Sequence, residues 1–590
     1  MARAAQSSAS SRRIVRRRLF MGAPLVILLL ALLVYPVAQL LLLSVVKDGA
    51  FSLASYRQLF ASSVYVNVLL ITLKISLWTT LFAVLAGYPV AYFISSLPQR
   101  KKGSLLFWVL LSFWSSFLVR AFAWIVLLGR NGVVNQLLLA LGIVDAPAKL
   151  LYSFGSTLVG MVHALMPLAV LTLLSVMENI DRNLPRAALT LGARPGSAFW
   201  RVYFPLSLPG VAAAAIMVFV TAIGFFIFPA LLGGRRETMI TQIIIDQVQQ
   251  TLNWGFAGAI SVFLLVVVLA VFALYDRLLG LSTMTGSAAD RQRPAARDGW
   301  VHAAGEAVLG ALADVSDRVA SWMPRRRRTR EPGQSRTMYA VVLLLLAFLS
   351  LPTVLMIPLS FAGGSGLNWP PKGFSLQWYQ QMFDSPLWMQ ALTRSLVVGI
   401  GSGVLAMLIG TPAAFLLART AMRGKSLMLA FVLSPIIVPR MIIAVGLFYL
   451  FARVGLVGTS LGLILGHTVI AVPYVVMTMM AVLRNYDTRL DLAAQSLGAR
   501  PLQTLRHVTF PILMAGLLSS FLFAFATSFD ELTIALFASG GLNATLPKQF
   551  WDEVTLQISP VIAAVSTCLF AFVAVLIWVA DRLRRNSLAR

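Results

Sequence analysis

Long apolar runs alternate with short polar loops along this chain, and each half holds six runs of about the 20 residues a helix needs to cross a bilayer. In the first half the run cores are Leu25–Val45, Val68–Ile94, Leu105–Leu128, Leu158–Val176, Val211–Leu232 and Ala257–Leu279. In the second they are Val341–Ser360, Leu396–Leu417, Leu427–Phe451, Leu461–Leu483, Leu513–Leu536 and Val561–Val579. Six crossings return a chain to the side it left, so the two halves are parallel rather than inverted repeats. The pattern predicts an all-α polytopic membrane protein with two parallel six-helix domains and about twelve transmembrane helices.

One long stretch is too polar for the bilayer, Ser282–Arg336. Within it Val301, Val308, Leu312, Val315, Val319 and Trp322 recur at helical spacing, with Glu306, Asp314, Asp317 and Arg318 on other faces. That periodicity predicts an amphipathic helix on the inner membrane surface, ahead of the basic run Arg325–Arg328. The alternative is an unstructured tether. The chain then divides into a basic tail over 1–20, a first membrane domain over 21–281, a cytoplasmic linker over 282–336, a second membrane domain over 337–583 and a tail over 584–590.

Composition agrees, with 59% hydrophobic and 12% charged residues and a mean hydropathy of +0.84. The net charge of +27 has a membrane explanation. With the N-terminus inside, 35 of the 48 Lys and Arg fall on the cytoplasmic side, nine fall in outward loops, and four (Lys74, Arg120, Arg394, Arg440) lie in or near spans. Both termini are therefore expected in the cytoplasm, and nucleic acid is not an expected partner. The lone Cys568 excludes an intrachain disulfide. Four His and no cytoplasmic His/Asp/Glu cluster offer no metal or nucleophile site.

The strongest internal signal is a loop that occurs twice, 306 residues apart. Asn179–Val211 and Asn485–Leu517 agree without gaps at 14 of 33 positions, among them Asp181/Asp487, Gly192-Ala193-Arg194-Pro195/Gly498-Ala499-Arg500-Pro501 and Phe204-Pro205/Phe510-Pro511. Arg186–Gly192 predicts a short helix whose alanines let another surface approach closely, with Gly192 as a left-handed cap. Pro195 prevents simple continuation, and a second segment, Ser197–Tyr203, is expected to run until Pro205 marks entry into the next span. Two such loops on one side would form levers for a soluble partner. Shorter echoes are Gly87-Tyr88-Pro89 with Gly410-Thr411-Pro412, and Val119-Arg120 with Pro439-Arg440.

This arrangement resembles the EAA loop of ABC importer permeases: Glu-Ala-Ala, three residues, Gly, nine residues, then Ile-x-Leu-Pro. Ala187, Ala188, Gly192, Val202, Phe204 and Pro205 fit that register, as do Ala493, Ala494, Gly498, Val508, Phe510 and Pro511, with Arg186 and Leu492 in place of the Glu. The resemblance implies that each loop docks on a nucleotide-binding subunit, hence an ATPase dimer that carries the ATP and Mg, with no cofactor and no catalysis in this chain. Ala187, Ala188, Gly192, Ala193 and Pro205, with Ala493, Ala494, Gly498, Ala499 and Pro511, are the docking residues it assigns. It also implies an extracytoplasmic solute-binding protein, a small-molecule solute, and a multi-pass place in the lipid bilayer of a bacterial-type inner membrane. Gly424-Lys425-Ser426 mimics the end of a phosphate-binding loop, but Arg419 stands where the earlier glycine belongs.

Ser115–Asn135 and Phe228–Gly234 are similar to the first permease of spermidine/putrescine-type importers, and Ser434–Phe451, Ser528–Phe537 and Thr545–Thr567 to the second. The chain thus resembles those two subunits fused, moving polyamine-like solutes by alternating access. A fused ferric-iron or thiamine permease is the alternative within the class, and an ion-gradient-driven secondary transporter the alternative outside it. Asp530 and Glu531 fall near the outer end of a span, where an unpaired charge costs about 3 kcal/mol or more. They are candidates for a cationic translocation path or for a structural pair, with Arg120 and Arg440 as partners or as contacts for an anion. The first half answers them with Gly224 and Phe225.

Overall fold

The computed structural model describes residues 21–47, 49–279, 300–322, 336–420, 424–540 and 543–588. The basic tail over 1–20 and the Arg325–Arg328 run lie outside them. Among the described residues, eleven helices are long and apolar enough to cross a membrane, and a bent pair, Lys425–Ile437 with Arg440–Val454, brings the number to twelve if it is one span. Apart from a two-stranded hairpin, Val46–Lys47 with Ala50–Phe51, the elements of the described residues are helical.

Two expected spans in each half are not single helices. The third breaks between Gln99–Trp114 and Phe117–Leu128, and in the second half at Val438–Pro439 with a 90° bend. Pro439 lacks the N–H that would continue the ladder, and Ser116 turns its side chain to the N–H of Leu118 to cap a new helix. The fifth ends at Ile223 and at Phe529, and three residues separate these ends from the six-residue helices Ile227–Leu232 and Thr533–Ala538. Here the sequence's continuous apolar run hid the break.

The halves interlock through their first spans. Met21–Leu43 lies against the second half, where Gly446 sits so close to Pro36 that a Cβ would meet its carbonyl oxygen at 3.0 Å. Arg336–Val354 lies reciprocally against the first half: Phe93 meets Tyr339 edge-on, Trp124 meets Phe348 at a tilt, and His163 bonds through Nε2 to the Leu349 carbonyl at 3.1 Å. Within each half, fourth and fifth spans meet at a glycine. A Cβ on Gly210 would come 2.9 Å from Val176, and one on Gly516 2.6 Å from Val482, the same pair 306 residues on.

Candidate docking loops and translocation seam

The two repeated loops fold alike. Asn183–Thr190 and Arg489–Ser496 are short helices with no buried residue, each closed by a glycine in the left-handed region, Gly192 at φ +91° and Gly498 at +89°. The closing bonds also match: Ala193 N–H donates to Ala188 O and Ala499 N–H to Ala494 O, both at 3.0 Å, while the glycine N–H groups donate to Leu189 and Gln495. The residue before each glycine, Leu191 and Leu497, is 88% exposed in both copies. Sequence reasoning passed over these leucines, although their identity in both copies was visible.

The predicted second segment is not a separate short helix. Pro195–Ala198 runs through a wide turn, Phe199–Tyr203, directly into Phe204–Ile223, and Pro501–Thr504 does the same through Leu505–Thr509 into Phe510–Phe529. Pro205 and Pro511 therefore stand inside continuous helices instead of marking an entry. The wide turn absorbs each proline, since the N–H of Phe204 reaches back five residues to Phe199 and that of Phe510 to Leu505. Each loop is thereby joined rigidly to a fifth span.

The loops are anchored differently. In the second, Asp491 accepts from Arg419 (3.0 Å), Tyr486 (2.6 Å) and Thr509 (2.8 Å), and the Arg419 guanidinium lies over the Tyr486 ring. Burial alone would raise the Asp491 carboxyl, but the bonds from Tyr486, Thr509 and Arg419 outweigh it and hold the group below the usual carboxylate range. The first loop has Pro185 at that place and rests on an aromatic cluster of Tyr88, Tyr92, Phe199 and Tyr203. The linker helix, Trp300–Trp322, packs on this loop. Of its predicted apolar row, Val308, Leu312 and Val315 are 58%, 39% and 57% exposed, while Ala313 and Asp317 are buried.

Deeper in the molecule, the broken spans of the two halves meet across the seam. Gly224, at the fifth-span break of the first half, lies against Pro439, at the third-span break of the second. Asp530, its counterpart 306 residues on, faces the Ser116 hydroxyl and Phe117 N–H at the third-span break of the first half, with Arg120 and Arg440 as nearby cations. Discontinuous helices at a repeat interface are where transporters place their binding groups, because backbone left unpaired there must face polar partners. Asp530 also borders a cleft with Trp114, Phe525, Phe529 and Phe550.

The acidic pair separates into two roles. Glu531 is 1% exposed, and its carboxylate accepts from the N–H groups of Thr533 (2.9 Å) and Ile534 (2.8 Å), capping the six-residue helix. His467 stands 3.6 Å from it and bonds Ser528 through Nδ1 at 2.8 Å. Glu531 is thus engaged as a cap, as the structural alternative for the pair has it, and only Asp530 of the two lines that cleft; a carboxylate two residues before unpaired helix N–H groups binds them. Arg120 is 1% exposed, donates to Ala164 O at 3.1 Å and lies over the Phe117 ring, and Arg440 reaches the Tyr474 hydroxyl at 3.5 Å. Ser116 and His467 carried no sequence signal for these places.

The family described as "Binding-protein-dependent transport system inner membrane component" matches the chain twice, over residues 83–280 and 406–587. The chain is 33% identical over 227 residues to the spermidine/putrescine transport system permease protein PotB of Escherichia coli (strain K12), 38% of this chain and 82% of that protein. It is 28% identical over 242 residues to PotC of the same system and strain, 41% of this chain and 91% of that protein. A solved bacterial ABC transporter involved in import of the acidic polysaccharide alginate matches 45% of this chain and 99% of its own, at a TM-score of 0.33 and 16% identity. Two family matches on an all-helical membrane chain, with relatives that are each spanned nearly whole by less than half of it, lead to one conclusion: the chain belongs to the inner-membrane permease components of binding-protein-dependent ABC transport systems and carries two such permease domains, as a fusion of two subunits does.

Proposed function

We propose that this chain imports a polyamine-like cation, driven by two separate nucleotide-binding subunits seated on its two loops and supplied by an extracytoplasmic binding protein. The observation that carries the docking part is the pair of matching caps. Two exposed helices end in the same left-handed glycine and the same exposed leucine, and each is followed, after its cap, by a stem that runs without interruption into a fifth span. Movement of a partner against Leu191 or Leu497 is transmitted along that helix to Gly224 or Asp530, where the halves meet. The cation part is supported by the named solutes of the PotB and PotC relatives and by Asp530 at the seam. Arg120 and Arg440 complete the proposed path as cations whose charge Asp530 balances until a solute ammonium competes for it. The chain itself is proposed to hold no nucleotide; ATP and Mg belong to the partner, and both termini to the cytoplasm.

Reconstitution in vesicles with the ATPase and binding protein of its own system tests this. ATP-dependent uptake of spermidine or putrescine is the expected result. Uptake of an anionic solute alone would overturn the cation reading, and uptake driven by an ion gradient without an ATPase would overturn the docking reading.

A further inference from the structure

The two docking loops differ in one respect that their sequences do not announce: the first is held by the linker. Asp317 of the linker helix is 6% exposed and accepts three hydrogen bonds at the start of Pro195–Ala198, from Gly196 N–H (2.8 Å), Ser197 N–H (3.2 Å) and the Ser197 hydroxyl (2.7 Å). Arg201, in the wide turn that leads into the fifth span, pairs with Asp314 at 3.4 Å. The second loop caps the same place from within, Gln503 accepting from the Arg500 N–H at 2.8 Å. Gly196 fits the contact sterically. A Cβ there would come 2.6 Å from the Asp317 carboxylate and would also run into Ser316, whereas the matching residue of the second loop, Leu502, is 75% exposed.

We infer that the linker helix is an intramolecular brace, in which Asp317 holds the stem of the first docking loop and makes the two loops mechanically unequal. The brace grips the joint between loop and fifth span and leaves the docking helix Asn183–Thr190 open, so it stiffens the lever without occupying the partner's seat. A carboxylate bound to two backbone N–H groups and a hydroxyl makes strong, charge-assisted bonds. A stiffened first lever passes motion to the Gly224 break more fully than an unbraced one. Asp317 is on this account a positioning residue for coupling. Its functional half rests on the docking reading above; the physical contact does not.

Hydrogen exchange and coupling, both measured on the full chain with its ATPase and binding protein in lipid nanodiscs or vesicles, test it. Asp317→Ala is expected to speed exchange over residues 195–203 by about tenfold, the loss of at least one charge-assisted bond, while residues 501–509 stay unchanged. More ATP is expected to be hydrolysed per solute moved. Gly196→Leu, which gives the first loop the residue of the second, is expected to do the same without touching the linker, and Asp317→Asn to restore part of the protection. Unchanged exchange in both Asp317→Ala and Gly196→Leu would overturn the brace. Faster exchange with an unchanged ratio of ATP to solute would overturn its role in coupling. Absence of ATPase binding to the unmodified chain would overturn the docking reading alone, because the exchange measurement still reads the brace.

Discussion

Gly192 and Gly498 sit in a backbone region that costs an L-residue about 1 kcal/mol, with open space around the missing Cβ. A side chain there strains the cap and projects from the proposed docking surface, yet meets nothing inside the protein. Gly192→Glu combined with Gly498→Glu is therefore expected to insert normally and to lose at least about tenfold in transport, the equivalent of 1.4 kcal/mol of docking energy. Uptake normalised to inserted protein is the measurement, and a normal rate would end the docking reading. The acidic pair separates by the same logic. Glu531→Gln removes a charged cap worth about 0.5–2 kcal/mol and is expected to lower the amount of folded protein. Asp530→Asn is expected to lower uptake per inserted molecule instead. At Asp491 the carboxylate is the stabilising form: its contribution is complete above the ordinary carboxylate pKa and disappears as pH falls through the lowered folded value. Asp491→Asn should loosen residues 489–509 at neutral pH, read by hydrogen exchange, and leave 183–203 unaffected because Pro185 makes no such anchor.

At the scale of elements, a stem proline and a glycine contact decide how a loop addresses the membrane. The run of apolar residues after Pro205 made the fifth span legible, and Gly-Ala-Arg-Pro made the cap legible. Neither showed that the stem passes straight through Pro205, because a wide turn is a backbone solution to a missing N–H and leaves no mark in apolar periodicity. The helix breaks were hidden similarly: Gly224–Phe226 and Asp530–Leu532 lie within apolar segments, and only the later position carries charge. Asp317 stayed unread because its partner, Gly196, is 121 residues away. The pairing of fourth and fifth spans offers a further test. Gly516→Leu must push Val482 away from a 2.6 Å approach, and overpacking of this kind costs about 1–3 kcal/mol. Lower thermal stability of the purified protein is expected, with Gly210→Leu behaving alike against Val176.

For the whole molecule, the interlocked first spans mean that neither half is complete without the other. Splitting the chain near Ala295 into two coexpressed parts is nonetheless expected to leave uptake intact, because the linker helix stays with the second part and can still reach the first loop. Uptake per pair of inserted halves checks this, and loss of uptake at normal amounts of both would give the covalent connection a role of its own. The interlock also sets a waiting time during synthesis. Pro36 and Val37 emerge long before Gly446, the residue they pack against. At roughly 5–20 residues per second, the first span spends on the order of 20–80 seconds in the membrane facing lipid or an insertion chaperone. Its exposed side chains Ile27, Leu30 and Leu42 suit that interval, and the span's final seat exists only once the second half arrives. Fusion into one chain guarantees that the awaited partner is always the next segment made.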